Sequence, residues 1–99
     1  MTDLAIEQTD RGFQAIVDGH TAVLDLVADG DRLVFTHTGV PPALEGRGIG
    51  SALVAAGIDH ARTERRTVVP SCWFVRAWLD RNPEGAATVL RALRAGGAG

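Results

Sequence analysis

Hydrophobic and polar residues alternate along the first 38 positions of the chain, and the spacing then becomes helical. In the first part, apolar residues occupy every second position of several short runs, which is typical of half-buried β-strands. Turn sequences such as Asp18-Gly19 separate the runs and are too short to contain helices. The pattern predicts an antiparallel meander of four strands, at residues 4–8, 13–17, 20–27 and 32–38. Strict alternation in the fourth strand puts Leu33 and Phe35 on one face and Thr38 on the other.

The second part predicts a helix, a strand and two further helices. Apolar residues recur at helical spacing from Ile49, and this helix should end near Arg65-Arg66. Residues 67–70 form a short β-branched run, which should pair in parallel with the fourth strand after a right-handed crossover. A short helix follows from Trp73 to about Asn82. The last helix should begin at Asn82-Pro83-Glu84, and residues 95–99 should form a frayed tail.

These elements predict an α+β fold in which a single domain covers residues 1–99. A chain of this length is sufficient for one small domain. Apolar residues make up 45% of the chain and charged residues 22%, which is ordinary for a globular protein. No apolar run is long enough to span a membrane, and no signal segment opens the chain. The single cysteine fits a reducing cytoplasm, and a net charge of −2 gives no support for a nucleic-acid partner.

A glycine-rich turn between the two parts is the strongest candidate for a binding site. Pro41 and Pro42 end the fourth strand, and Gly46, Gly48 and Gly50 follow at alternate positions directly before the helix. Such a turn directs free backbone N–H groups, with the positive end of the helix dipole behind them, at one point. It could bind phosphate oxygens, or it could be only a flexible entry to the helix. It is not a P-loop, because no Gly-Lys-Ser/Thr sequence follows, and it does not meet the glycine spacing of a dinucleotide fingerprint.

Four segments together resemble the GNAT N-acetyltransferase superfamily, and more closely its short YjdJ-like branch. They are His37-Thr38-Gly39-Val40-Pro41-Pro42, Gly46-Arg47-Gly48-Ile49-Gly50-Ser51-Ala52-Leu53-Val54, Val69-Pro70-Ser71-Cys72-Trp73-Phe74-Val75 and Arg81-Asn82-Pro83-Glu84. The resemblance extends over roughly residues 4–90. It implies a compact GNAT-like fold, acetyl-CoA as the acyl donor and cosubstrate, a primary amine as acceptor, and no metal.

The resemblance also implies which residues bind acetyl-CoA. They are Thr38, Val40, Gly46, Arg47, Gly48, Ile49, Gly50 and Ser51. The chain departs from the superfamily at three points. Glu45 stands where a Gln or Arg is usual and should repel the pyrophosphate, although Arg47 could compensate. No Tyr is present to act as general acid, and a turn replaces the helices that usually follow the first strand.

His37 and Cys72 are the candidate catalytic residues. Amide formation needs a neutral amine, a stabilised oxyanion and a proton for the departing CoA thiolate. In the superfamily a backbone N–H near the position of Val40 holds the oxyanion. His37 has a side chain suited to a general base, or it is a structural strand residue. Cys72 could be the general acid, a nucleophile, or a small buried apolar residue.

The sequence therefore supports three hypotheses about the function of the protein. The first is an acetyl-CoA-dependent N-acetyltransferase whose amine acceptor is a small molecule or a protein. The second is a CoA-binding module without transferase activity, which the acidic Glu45 and the absent Tyr both favour. The third is a structural domain with a general anion-binding turn. Trp73, Phe74 and Trp78 either line an acyl groove or belong to the core.

Overall fold

The computed structural model describes residues 4–82, which form a five-stranded sheet and two α-helices. The elements, in chain order, are β1 (Ile6–Thr9), β2 (Gly12–Val17), β3 (His20–Asp29), β4 (Arg32–Gly39), a 3₁₀ helix (Pro42–Leu44), α1 (Ile49–Thr63), β5 (Thr67–Pro70) and α2 (Trp73–Arg81). The helix expected from Asn82 onward and the frayed tail lie outside the described residues. Neither α1 nor α2 is long and apolar enough to cross a membrane.

The strands are ordered in the sheet as they are in the sequence. β1 to β4 pair as an antiparallel meander, and β5 pairs with β4 in parallel. Both parts of the predicted topology are thereby confirmed. The hairpin turn between β2 and β3 has Asp18 and Gly19 at positive φ angles of 51° and 78°, which is the backbone that an Asp-Gly hairpin turn needs.

The core lies between one face of the sheet and α1. Ala15, Leu24 and Phe35 are fully buried on that face. α1 approaches them through Gly57, where an added Cβ would lie only 2.8 Å from both Leu24 Cδ2 and Phe35 Cε2. The absence of a side chain at Gly57 thus lets the helix axis lie close to the sheet. On the other face, no described element covers Ile16, whose side chain is 55% exposed.

A β-bulge interrupts the pairing of β3 with β4. Asp25 is opposite His37 and Leu26 is opposite Phe35, so Thr36 has no partner residue on β3. An unpaired residue of this kind shifts the alternation of side chains by one position. The sequence prediction for the end of β4 was wrong for this reason. Thr38 lies opposite the buried Leu24 and therefore shares the core face with it.

Candidate functional site

The glycine turn lies between β4 and α1 and leaves the start of α1 open. Two prolines end the strand, and the 3₁₀ helix places Leu44 in the core with 1% of its surface exposed. Gly46 and Gly48 then adopt left-handed backbone angles, with φ of 80° and 76°. Gly48 is the N-cap of α1 and offers no side chain to the first N–H groups, and no acidic residue lies in the first turn. These N–H groups are therefore available to an external anion.

The three glycines of the turn have different surroundings. A Cβ added at Gly46 or Gly48 would meet nothing within 4 Å, so both face open space. A Cβ at Gly50 would lie 2.7 Å from Phe74 Cζ and 3.2 Å from Val40 Cγ2. Gly50 therefore provides room for the Phe74 ring, whereas Gly46 and Gly48 leave space for a ligand close to the main chain.

A cavity of about 310 Å³ opens at this turn, within the size range of small-molecule sites. Its walls include most of the predicted acetyl-CoA-binding residues together with parts of the 3₁₀ helix and α2. The lining residues are Val40, Leu44, Glu45, Gly46, Gly48, Ile49, Gly50, Ser51, Phe74 and Arg81. Of the predicted binding residues, Thr38 and Arg47 do not line it.

Arg47 instead contacts the hairpin between β2 and β3. Its Nη1 atom lies 2.8 Å from Asp18 Oδ2, and both side chains are more than half exposed. An exposed ion pair of this kind contributes little to stability, so it holds Arg47 only weakly. The sequence suggested that the positive charge of Arg47 could compensate for the carboxylate of Glu45. In the structure, the carboxylate of Asp18 competes for the same guanidinium.

A gap forms next to the glycine turn because β4 is longer than its partner β5. β4 pairs with β5 only from Arg32 to Phe35, but it pairs with β3 as far as Gly39. Beyond the parallel pairs, the N–H of Cys72 donates a hydrogen bond to the carbonyl of Phe35 over 3.1 Å. The following residues of β4 therefore form one border of a gap that β5 does not fill.

Cys72 lies at the base of this gap, as the N-cap of α2. Its Sγ atom lies 3.7 Å from the hydroxyl oxygen of Thr38, and 9% of the residue is exposed. Burial raises the pKa of the thiol, but the Thr38 hydroxyl and the backbone N–H groups of Val75, Phe74 and Thr38 lower it, and the net shift is downward. These N–H groups favour the thiolate form, although the Cys72 side chain makes no capping hydrogen bond at the start of α2.

His37 lies on the opposite face of β4 from Thr38 and Cys72. It is exposed, and its Nε2 atom lies 3.0 Å from the position that a Cβ of Gly39 would occupy. The imidazole therefore lies against Gly39. The structure brings Thr38 and Cys72 into contact, but it places His37 and Cys72 on two sides of the strand that borders the gap.

The sequence did not decide which aromatic residues of α2 line a groove and which belong to the core. It also did not predict Arg81 as a site residue. Trp78 is a core residue with 9% exposure, Trp73 is 71% exposed, and Phe74 lines the cavity. Arg81 lies seven residues after Phe74, and this spacing puts two side chains on the same face of a helix. That spacing was the available signal, but it becomes informative only when the position of Phe74 is known.

Comparisons with known proteins agree with this geometry. Residues 12–89 match a family model described as GCN5-related N-acetyl-transferase. The chain is also similar to Protein NATD1 of Gallus gallus and of Mus musculus, with 36% identity over 55 residues in each case. That alignment covers 54% of this chain and 50% of each of those proteins. The chain thus spans about half the length of the curated relatives it matches.

Proposed function

Because the chain belongs to the GCN5-related N-acetyltransferase family, we propose that it transfers an acetyl group from acetyl-CoA to an amine. The open N-terminus of α1, at a cavity beside the gap between β4 and β5, is the observation that carries the proposal. We further propose that residues 1–99 form one such domain, that it belongs to the YjdJ-like branch, and that it works in the cytoplasm.

The glycine turn suits the phosphates of CoA. The open space at Gly46 and Gly48 allows phosphate oxygens to approach the backbone N–H groups at the start of α1. Glu45 lines the same cavity, and its carboxylate would repel a phosphate. We therefore expect backbone groups to supply most of the binding energy, with an affinity below that of a site that has a neutral or basic residue at this position.

The gap between β4 and β5 suits the reacting end of the cosubstrate. Acetyl-CoA supplies an activated acyl group on a thioester. Val40 directly follows β4 and lines the cavity, so its backbone N–H is a candidate donor to the oxyanion that develops on the acetyl carbonyl. This arrangement would place the thioester between the two faces of the sheet, within reach of groups from both sides.

The opposite placement of His37 and Cys72 fits two proton transfers in one reaction. On the exposed face, His37 would remove a proton from the amine as its nitrogen attacks the acetyl carbon. On the core face, Cys72 would donate the thiol proton to the CoA sulfur as the carbon–sulfur bond breaks, and Thr38 would hold the thiol in place. The lowered pKa of Cys72 also suits a nucleophile that accepts the acetyl group first, so both roles remain in the proposal.

A CoA-binding module without transferase activity is the second candidate. The observation that favours it is that neither His37 nor Cys72 lines the cavity at the glycine turn. Under this hypothesis Cys72 has only a packing role at the start of α2, and His37 is an exposed residue of β4 without a catalytic role.

Calorimetry with acetyl-CoA and with CoA tests the binding step, and a panel of amines tests transfer. We expect binding of both ligands and acetylation of at least one amine class. Absence of binding would refute both candidates, and binding without any transfer would favour the module. The Cys72→Ala variant should lose turnover far more than acetyl-CoA affinity, because its role is in the transition state.

Mass spectrometry after mixing the protein with acetyl-CoA alone distinguishes the roles of Cys72. A stable acetyl adduct on Cys72 supports a nucleophile. No adduct, together with partial activity in Cys72→Ser, supports a general acid. Full activity in Cys72→Ala would leave Cys72 with a packing role only.

A further inference from the structure

We propose that Arg81 binds a phosphate group of acyl-CoA, an inference that rests on the proposed function. Arg81 lies in the last turn of α2 and lines the cavity at the glycine turn. It is the one basic residue among the described residues that line this cavity. Its guanidinium would add a charge-assisted interaction to the backbone N–H groups of α1.

The geometry of α2 brings Arg81 to the cavity. Phe74 and Arg81 are seven residues apart, so they share one face of the helix and are separated along its axis by about 10 Å. Phe74 packs against Gly50 in the first turn of α1, while Arg81 lies farther along the same wall. The same face of α2 therefore lines the cavity at two points about 10 Å apart along the helix, and the first of them lies beside the start of α1.

The charge distribution around the cavity favours this assignment. Glu45 puts a carboxylate in the wall, which opposes the binding of any phosphate nearby. Two other arginines of the described chain have partners away from the cavity. Arg47 contacts Asp18, and Arg66 donates a hydrogen bond to the carbonyl of Gly30 over 2.9 Å. Arg81 is exposed, and within residues 4–82 no carboxylate forms an ion pair that would compete with a ligand for its guanidinium.

The test is calorimetric titration of the full chain with CoA and with dephospho-CoA, which lacks the 3′-phosphate. The variants are Arg81→Gln and a matched control, Arg76→Gln. Arg76 is an exposed arginine of the same helix that does not line the cavity. Thermal unfolding of each variant verifies that the fold is retained. We expect Arg81→Gln to weaken CoA binding about tenfold, as for one lost hydrogen bond to a charged group, and Arg76→Gln to leave it unchanged.

The two ligands then show which phosphate is bound. If Arg81→Gln weakens the binding of CoA but not of dephospho-CoA, Arg81 binds the 3′-phosphate. If it weakens the binding of both ligands equally, Arg81 binds the pyrophosphate. Equal affinities of Arg81→Gln, Arg76→Gln and the wild type would overturn this inference while leaving the proposed function intact. Failure of the wild-type chain to bind CoA would overturn both.

Discussion

Replacement of Gly50 by Ala tests the contact between the two helices that form the cavity. The new methyl group would lie 2.7 Å from Phe74 Cζ, compared with at least 3.4 Å in an ordinary contact, so the ring must retreat by about 0.7 Å. Overpacking of this kind costs about 1–3 kcal/mol. The higher helix propensity of Ala returns up to about 1 kcal/mol. We therefore expect a net destabilisation of about 1 kcal/mol, which lowers the melting temperature of a domain of this size by about 4–8 °C.

Thermal unfolding followed by circular dichroism measures this change, and two further variants identify its cause. Phe74→Leu removes the ring atom that the methyl group meets, so Gly50→Ala should cost much less stability in a Phe74→Leu protein than in the wild type. Gly48→Ala is the matched control. Its Cβ meets nothing within 4 Å, but its φ of 76° costs about 1–2 kcal/mol, and Phe74→Leu should not relieve that strain. A Gly50→Ala protein as stable as the wild type, or equal rescue of both variants, would refute the packing argument.

The remaining predictions concern charges and hydrogen bonds at the site. Thr38→Val removes a hydroxyl that lowers the pKa of Cys72, so the pH midpoint of thiol alkylation should move upward, and an unchanged midpoint would contradict that contact. Glu45→Gln should tighten acetyl-CoA binding in calorimetry because it removes a like charge from the cavity wall; weaker binding would mean that the carboxylate has a positive role. Asp18→Asn should change the melting temperature little, since its ion pair with Arg47 is exposed, and a large loss would show that this pair anchors the hairpin.

Local signals were sufficient to predict the sheet. The Asp18-Gly19 turn and the alternation around it define a hairpin within a few residues, and the structure has that hairpin. The crossover to β5 followed from the general handedness of such connections and from the short β-branched run at Thr67–Pro70. These features depend on neighbouring residues or on general rules, and both can be read from a sequence.

Features that depend on distant partners could not be predicted in this way. The position of Thr36 in a bulge depends on how β3 and β4 align, and alternation alone put Thr38 on the wrong face. Arg47 finds its ion-pair partner 29 residues earlier in the chain. Arg81 belongs to the cavity wall only because α2 packs beside the glycine turn. In each case a contact between distant segments determines what the side chain does.

The unpaired Thr36 is the residue at which this part of the chain could become shorter without exchanging the two faces of β4. Deletion of Thr36 would restore regular antiparallel pairing and leave every later residue of β4 opposite the same partner on β3 as before. His37 would stay on the exposed face, and Thr38 would stay on the core face in contact with Cys72. A homologous protein one residue shorter here could therefore use the same residues for the same chemistry, and strict alternation would then predict their faces correctly.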